Sequence, residues 1–201
     1  MAKDQQGTGG GTATHAGTNY QNRVAAWSAV HILAEQDAVP SWELPASITL
    51  ETLHSETPHA VDDLAVQTSA GGSVLSQAKH TLSLQTTPDS PFGSAISQFV
   101  REYRAATPPL DAAKDRLVIA TTSRSSAPIK THLPAFLNRV RSSSAPDQEW
   151  TAGNKEENDA AAILRDCIMR AWRDETGADP APADVIAILR LSRIQILAKH
   201  I

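Results

Sequence analysis

The feature that most constrains this chain is Gly71-Gly72, which joins two short runs with strand character, Ala60 to Thr68 and Ser73 to Leu82. Two glycines between alternating apolar segments predict a β-hairpin with a two-residue turn. In that register position 79 lies opposite 64, and 81 opposite 62. The hairpin therefore brings Asp62-Asp63 on one strand beside Gln77-Ala78-Lys79 on the other. Alternation puts Gln77 and Lys79 on one face, about 7 Å apart along the backbone. The two-residue turn gives Asp62 to the lysine's face, and one extra loop residue or a bulge gives it Asp63. Both registers stay open at this level.

Acid, amide and amine converging on one sheet surface have two readings. One is a wet hairpin edge with a cross-strand ion pair worth under about 1 kcal/mol. The other is a magnesium-dependent phosphodiester hydrolase. Mg²⁺ takes oxygen ligands, commonly one or two carboxylates with waters and substrate phosphate. A lysine beside it can orient the attacking water and stabilise developing negative charge.

The remaining pattern predicts an α/β chain. A helix runs from Thr18 or Asn19 to about Glu35, with Tyr20, Val24, Trp27 and His31 on one face. A first strand covers Ile48 to His54. A second helix spans Pro91 to Arg104, and RLVIATT at 116–122 reads as a buried strand. Helical spacing returns from Ile129 to Arg141, from Glu156 to Glu175 and from Ala183 to Arg190, before a strand-like end, LSRIQILAKHI. The Gly/Thr/Ala-rich residues 1–17 read as a flexible arm, 18–144 as the core, and 145–201 as a helical extension leading into a further domain.

A chain of 201 residues can bury a sizeable core without staples, and its single cysteine, Cys167, excludes a disulfide scaffold and a cysteine-based zinc site. No run approaches the roughly 20 apolar residues of a membrane span, so the expected setting is cytoplasmic, with no membrane partner. Charge is segregated. Residues 1–100 carry 3 basic and 9 acidic side chains, whereas residues 101–141 carry 8 basic and 3 acidic. Such a block can line a phosphate-facing surface or be a locally balanced solvated face. Arg101, Arg104, Arg124 and Lys130 are its candidate DNA contacts.

Four segments in order, GTNYQNRVAAW, ITLETLH, VDDLAV and SQAKH, with weaker agreement at DRLVIATTS, carry a resemblance. The sequence resembles the PD-(D/E)XK nuclease superfamily, in the branch reading Asp…Gln-x-Lys. Within it, it is similar to nuclease effector domains of bacterial anti-phage systems: the double-stranded DNA endonucleases of cyclic-oligonucleotide (CBASS) signalling and the amino-terminal nucleases of STAND-type and Lamassu proteins. The resemblance covers roughly residues 17–82. It implies a restriction-endonuclease-like mixed central sheet flanked by helices. It also implies Mg²⁺, with Mn²⁺ as a substitute, and double-stranded DNA as substrate. Cleavage would have little sequence specificity and would be released by homo-oligomerisation through a sensor or partner region.

Carried over, Lys79 matches the motif lysine and Gln77 the usual second acid. Asp63 fits the metal-binding aspartate, with Asp62 as alternative. Gln21 matches an acid or amide position near the metal, and Glu51 is a further carboxylate candidate. An amide at Gln77 supplies oxygen without charge. That departure keeps two alternatives in play: a degenerate nuclease-fold module that binds nucleic acid or a partner protein without catalysis, and an RNase on the same fold.

Overall fold

The computed structural model describes residues 10–35, 42–61 and 63–197. Five strands, β1 (Leu50–Ser55), β2 (Leu64–Thr68), β3 (Ser73–Lys79), β4 (Arg116–Thr122) and β5 (Ser192–Leu197), form one sheet in that spatial order. β1, β2 and β3 are an antiparallel meander; β4 joins β3 in parallel and β5 joins β4 in parallel. The two parallel joins need long crossovers. The first is helix α2 (Pro91–Ala105), and the second is α3 (Leu133–Ser142), α4 (Lys155–Thr176) and α5 (Pro182–Leu191). The architecture is the expected α/β mixed sheet flanked by helices. No described helix is long and apolar enough to cross a membrane.

The helix boundaries follow local chemistry. Ser90 caps α2, its Oγ accepting from the Gly93 N–H at 3.0 Å, and Pro91 fits the first turn, where a missing N–H costs nothing. Asn154 caps α4 in the same way, and Gly177 ends it in the left-handed region at φ 73°. The predicted helix 129–141 opens as a π-helical turn at Pro128–His132 and continues as α3. Helix α1 (Gly10–Leu33) begins inside the stretch read as an arm, because elongation adds a hydrogen bond for each residue fixed and no proline interrupts it. Residues 1–9 of that arm lie outside the described residues.

Alternation along the strands divides the core in two. Ala65, Leu75, Leu117 and Ile119 pack against Phe92, Phe99, Phe136 and Ile168 of α2, α3 and α4. Leu64, Val66, Val74, Val118 and Ala120 face the other way, against Tyr20 and Val24 of α1 and against Trp42 and Leu44. Strand β4, between β3 and β5, is buried along its whole length, as a strand covered on both faces must be.

The hairpin register differs from the two-residue reading. Leu64 pairs with Ser76 rather than Lys79, and Gln67 with Ser73. The cause is a three-residue loop. Thr68 and Gly72 close it through Thr68 N–H to Gly72 O at 2.9 Å, and Gly71 takes the left-handed position at φ 67°. Gly72 serves a different end: a Cβ there would run into the Lys114 carbonyl group. Gly72→Ala is therefore expected to destabilise the chain by about 1–3 kcal/mol, read as a lower denaturant midpoint at unchanged m-value.

Candidate active site

The β2–β3 ladder ends at Leu64–Ser76, so the Ala78 N–H has no strand partner on that side. Asp63 supplies one: its Oδ2 accepts from the Ala78 N–H at 2.8 Å. The corrected register thus brings the Asp63 carboxylate to the residue between Gln77 and Lys79. It is the odd shift that favours Asp63 over the partner expected from a two-residue turn. Asp62 lies outside the described residues. Gln21, projecting from α1, donates through Nε2 to the Asp63 carbonyl oxygen at 3.3 Å.

Gln77 and Lys79 share the face of Leu75, toward α2. Gln77 is fully buried, whereas Lys79, at the strand's end, is half-buried. The ion pairs within 4 Å among the described residues join other cations. The Lys79 main chain is fixed from β4. Thr121 Oγ1 donates to the Lys79 carbonyl oxygen at 2.6 Å and Thr122 Oγ1 to that of His80 at 2.8 Å. Ser125 Oγ accepts from the Leu82 N–H at 2.8 Å. These threonines were not singled out in the sequence; their signal was polarity at the end of an otherwise apolar buried strand. His80, on the opposite face, meets Tyr20 edge-on with ring centroids 5.5 Å apart. Burial raises the Tyr20 phenol's pKa above its ordinary value.

Glu51 is not brought to this cluster. It sits at a bulge in β1 between Leu50 and Thr52, beside Gln67 and Thr68. At about 3.4 Å per residue, that is roughly 12 Å along the sheet from Leu64. The residue at the corresponding end of β1 is Glu56, whose N–H donates to the Asp63 carbonyl oxygen at 3.4 Å. Pairing of the first two strands, Ser55 with Leu64, is the signal that would have found it. A metal centre here rests on Asp63 with the Gln77 amide; no group of three histidine, cysteine or acidic side chains gathers among the described residues. One carboxylate plus an amide oxygen still falls within what Mg²⁺ accepts, since water and phosphate complete its shell. The Ala78 N–H takes one of a carboxylate's roughly four lone-pair sites.

The basic block separates in space. Arg124 is exposed just beyond β4, at the end of the sheet where Lys79 lies, and Lys130 Nζ donates to the Ser123 carbonyl oxygen there at 2.9 Å. Arg101 and Arg104 sit in the last turns of α2. They face Glu175 of α4 at 4.0 and 3.8 Å, and Arg104 lies 5.5 Å over the Trp172 ring. Those two brace a helix pair, and at 1.5 Å per residue they lie about 15–20 Å along α2 from its start. His59 is likewise engaged, by Glu102 at 2.8 Å.

The arrangement presents a carboxylate, an amide and an amine at the carboxyl ends of parallel strands, the edge at which open α/β sheets bind ligands. Comparison with models of known protein families, with curated proteins and with solved structures finds no match to this chain.

Proposed function

We propose that this chain is a metal-dependent nuclease domain that hydrolyses phosphodiester bonds of double-stranded DNA. The observation that carries the reading is the Asp63 carboxylate seated on the N–H of Ala78, between Gln77 and Lys79. Asp63 and the Gln77 amide oxygen would hold Mg²⁺, which when bound supplies positive charge to a phosphate oxygen and to the departing oxygen. Lys79 holds the attacking water by hydrogen bonding and stabilises the negative charge that develops on the phosphate. Gln21 keeps the Asp63 main chain in position from α1. Arg124 and Lys130 contribute positive charge at the same end of the sheet for the phosphate backbone, so binding has little sequence specificity and weakens steeply with salt. By the resemblance described above, such a domain would act in the cytoplasm as an anti-phage effector and await oligomerisation before cutting.

One observation favours a second reading, a non-catalytic nucleic-acid or protein-binding module: the second-acid position is a fully buried, uncharged glutamine. Incubation of supercoiled plasmid and of structured RNA with the chain, in Mg²⁺ and in EDTA, separates the readings. Artificial dimerisation of the chain should be included as an arm. A DNA nuclease nicks or linearises plasmid only with Mg²⁺, and an RNase degrades only the RNA. Binding of DNA without any cut in either state supports the module and overturns the enzyme.

A further inference from the structure

At the other end of the sheet, where β4 and β5 begin, guanidinium groups outnumber carboxylates. Arg193 on β5 and Arg141 at the end of α3 both reach Glu43, Arg193 Nε at 3.3 Å and Arg141 Nη2 at 2.6 Å. Arg190, at the end of α5, has no ion pair among the described residues, and its one described hydrogen bond is a long 3.4 Å contact to the Ser143 carbonyl oxygen. Arg190 Nε is buried without a hydrogen-bond partner among the described residues, and Arg193 Nε has the Glu43 carboxylate alone, at 3.3 Å. Beneath them Arg116, 3% exposed, spends its donors on main-chain oxygens. Glu43, Arg141, Arg190, Arg193 and Asn138 line an open depression of about 530 Å³.

Among the described residues, three cations around one half-exposed carboxylate leave an excess of positive charge. The cost registers on Arg193 and on Arg116 beneath it. Burial, then the neighbouring Arg141 and Arg116, pull the Arg193 pKa down from the usual arginine range, and burial followed by Arg141 does the same to Arg116. Guanidinium groups keep their protons at neutral pH, so the strain remains as unbalanced charge. Burying like charges together is unfavourable unless a counter-charge arrives. Guanidinium forks match the oxygens of phosphate bidentately, which a spherical anion such as chloride cannot exploit.

We propose that the Arg141–Arg190–Arg193 depression is a binding site for a phosphate-class oxyanion, free or as the phosphate of a small phosphomonoester. Arg193 pairs with Val118, about 10 Å along β4 from Thr121, the partner of Lys79, and the depression shares no residue with the Asp63–Lys79 cluster, so it stands independently of the nuclease reading.

The test is calorimetric titration and thermal unfolding of the full chain with inorganic phosphate and with glycerol phosphate, against chloride at equal ionic strength. Saturable binding and a rise in Tm with phosphate but not chloride are expected. Equal affinity for both ligands identifies a site that reads the oxyanion alone; tighter glycerol phosphate binding identifies a site that also reads the attached group. Arg190→Gln, which breaks no described ion pair, should weaken phosphate binding about tenfold. Glu43→Gln should tighten it about threefold or more, by removing the competing carboxylate. A purely structural cluster predicts no such gain. The proposal is overturned if phosphate acts no differently from chloride, or if Arg190→Gln binds phosphate like the parent.

Discussion

Lys79→Ala is expected to lower magnesium-dependent plasmid cleavage by about 10³-fold while leaving thermal stability and DNA affinity close to the parent's. The rate effect corresponds to about 4 kcal/mol of transition-state stabilisation, the scale of one well-aimed donor to a developing oxyanion. Stability should survive because the contact fixing this part of β3 runs through the Lys79 carbonyl oxygen and Thr121, which alanine retains. No described ion pair is broken either. Asp63 allows a sharper separation. Asp63→Asn keeps an oxygen acceptor for the Ala78 N–H but loses the charge, so cleavage should fall as far as in Lys79→Ala with the fold intact. Asp63→Ala also strips the Ala78 N–H of its acceptor and should cost a further 1–3 kcal/mol of stability. Parent-like cleavage by both Lys79→Ala and Asp63→Asn would remove the basis of the nuclease reading. Matched losses of stability and cleavage in all three variants would assign these residues to the fold alone.

Element type was legible wherever a local signal was complete. The span Pro91 to Arg104 is α2, RLVIATT is the buried β4, and the span Glu156 to Glu175 is α4 within a residue at each end. Register was not legible, because it was decided by non-local contacts. The second glycine of the pair was read as part of the turn, whereas the approach of the Lys114 carbonyl is what requires it. That single difference moves the register by three positions and brings Asp63 to the Ala78 N–H. The bulge at Glu51 is of the same kind: one unpaired residue in β1 leaves that carboxylate at the wrong end of the strand. Charge was the most misleading signal. The basic stretch 101–141 is continuous in sequence, but a helix, a strand and a second helix carry its members to opposite ends of the sheet. Arg101 and Arg104 end on Glu175, Arg124 stands near Lys79, and Arg141 joins Arg193 in a cluster that no local pattern could announce.

Arg116 follows from the same point and carries the largest expected effect on stability. Its Nε donates to the Trp42 carbonyl oxygen at 2.8 Å and its Nη2 to that of Glu43 at 2.7 Å. Its Nη1 donates to the carbonyl oxygens of Ala112 at 2.6 Å and Asp115 at 2.7 Å. One side chain thus ties the segment that seats Trp42 and Leu44 under the sheet to the turn preceding β4. An apolar replacement for a buried ion pair is often tolerated, because both charges can be removed together. Here the partners are main-chain oxygens that no substitution removes, so Arg116→Met leaves buried acceptors unsatisfied. It should destabilise the chain by about 3–4 kcal/mol, a fall of roughly 10 °C in Tm for a chain of this size. Arg116→Lys, with a single ammonium in place of a planar fork, should recover less than half of that loss. Arg124→Gln, exposed at the far end of β4, is the matched control and should shift Tm by no more than about 1 °C. If Arg116→Met and Arg124→Gln unfold together, the carbonyl clamp does not hold the loop. A large loss confined to Arg116, with Trp42 fluorescence moving toward that of exposed indole before global unfolding, would identify this guanidinium as the tie between the loop and the sheet.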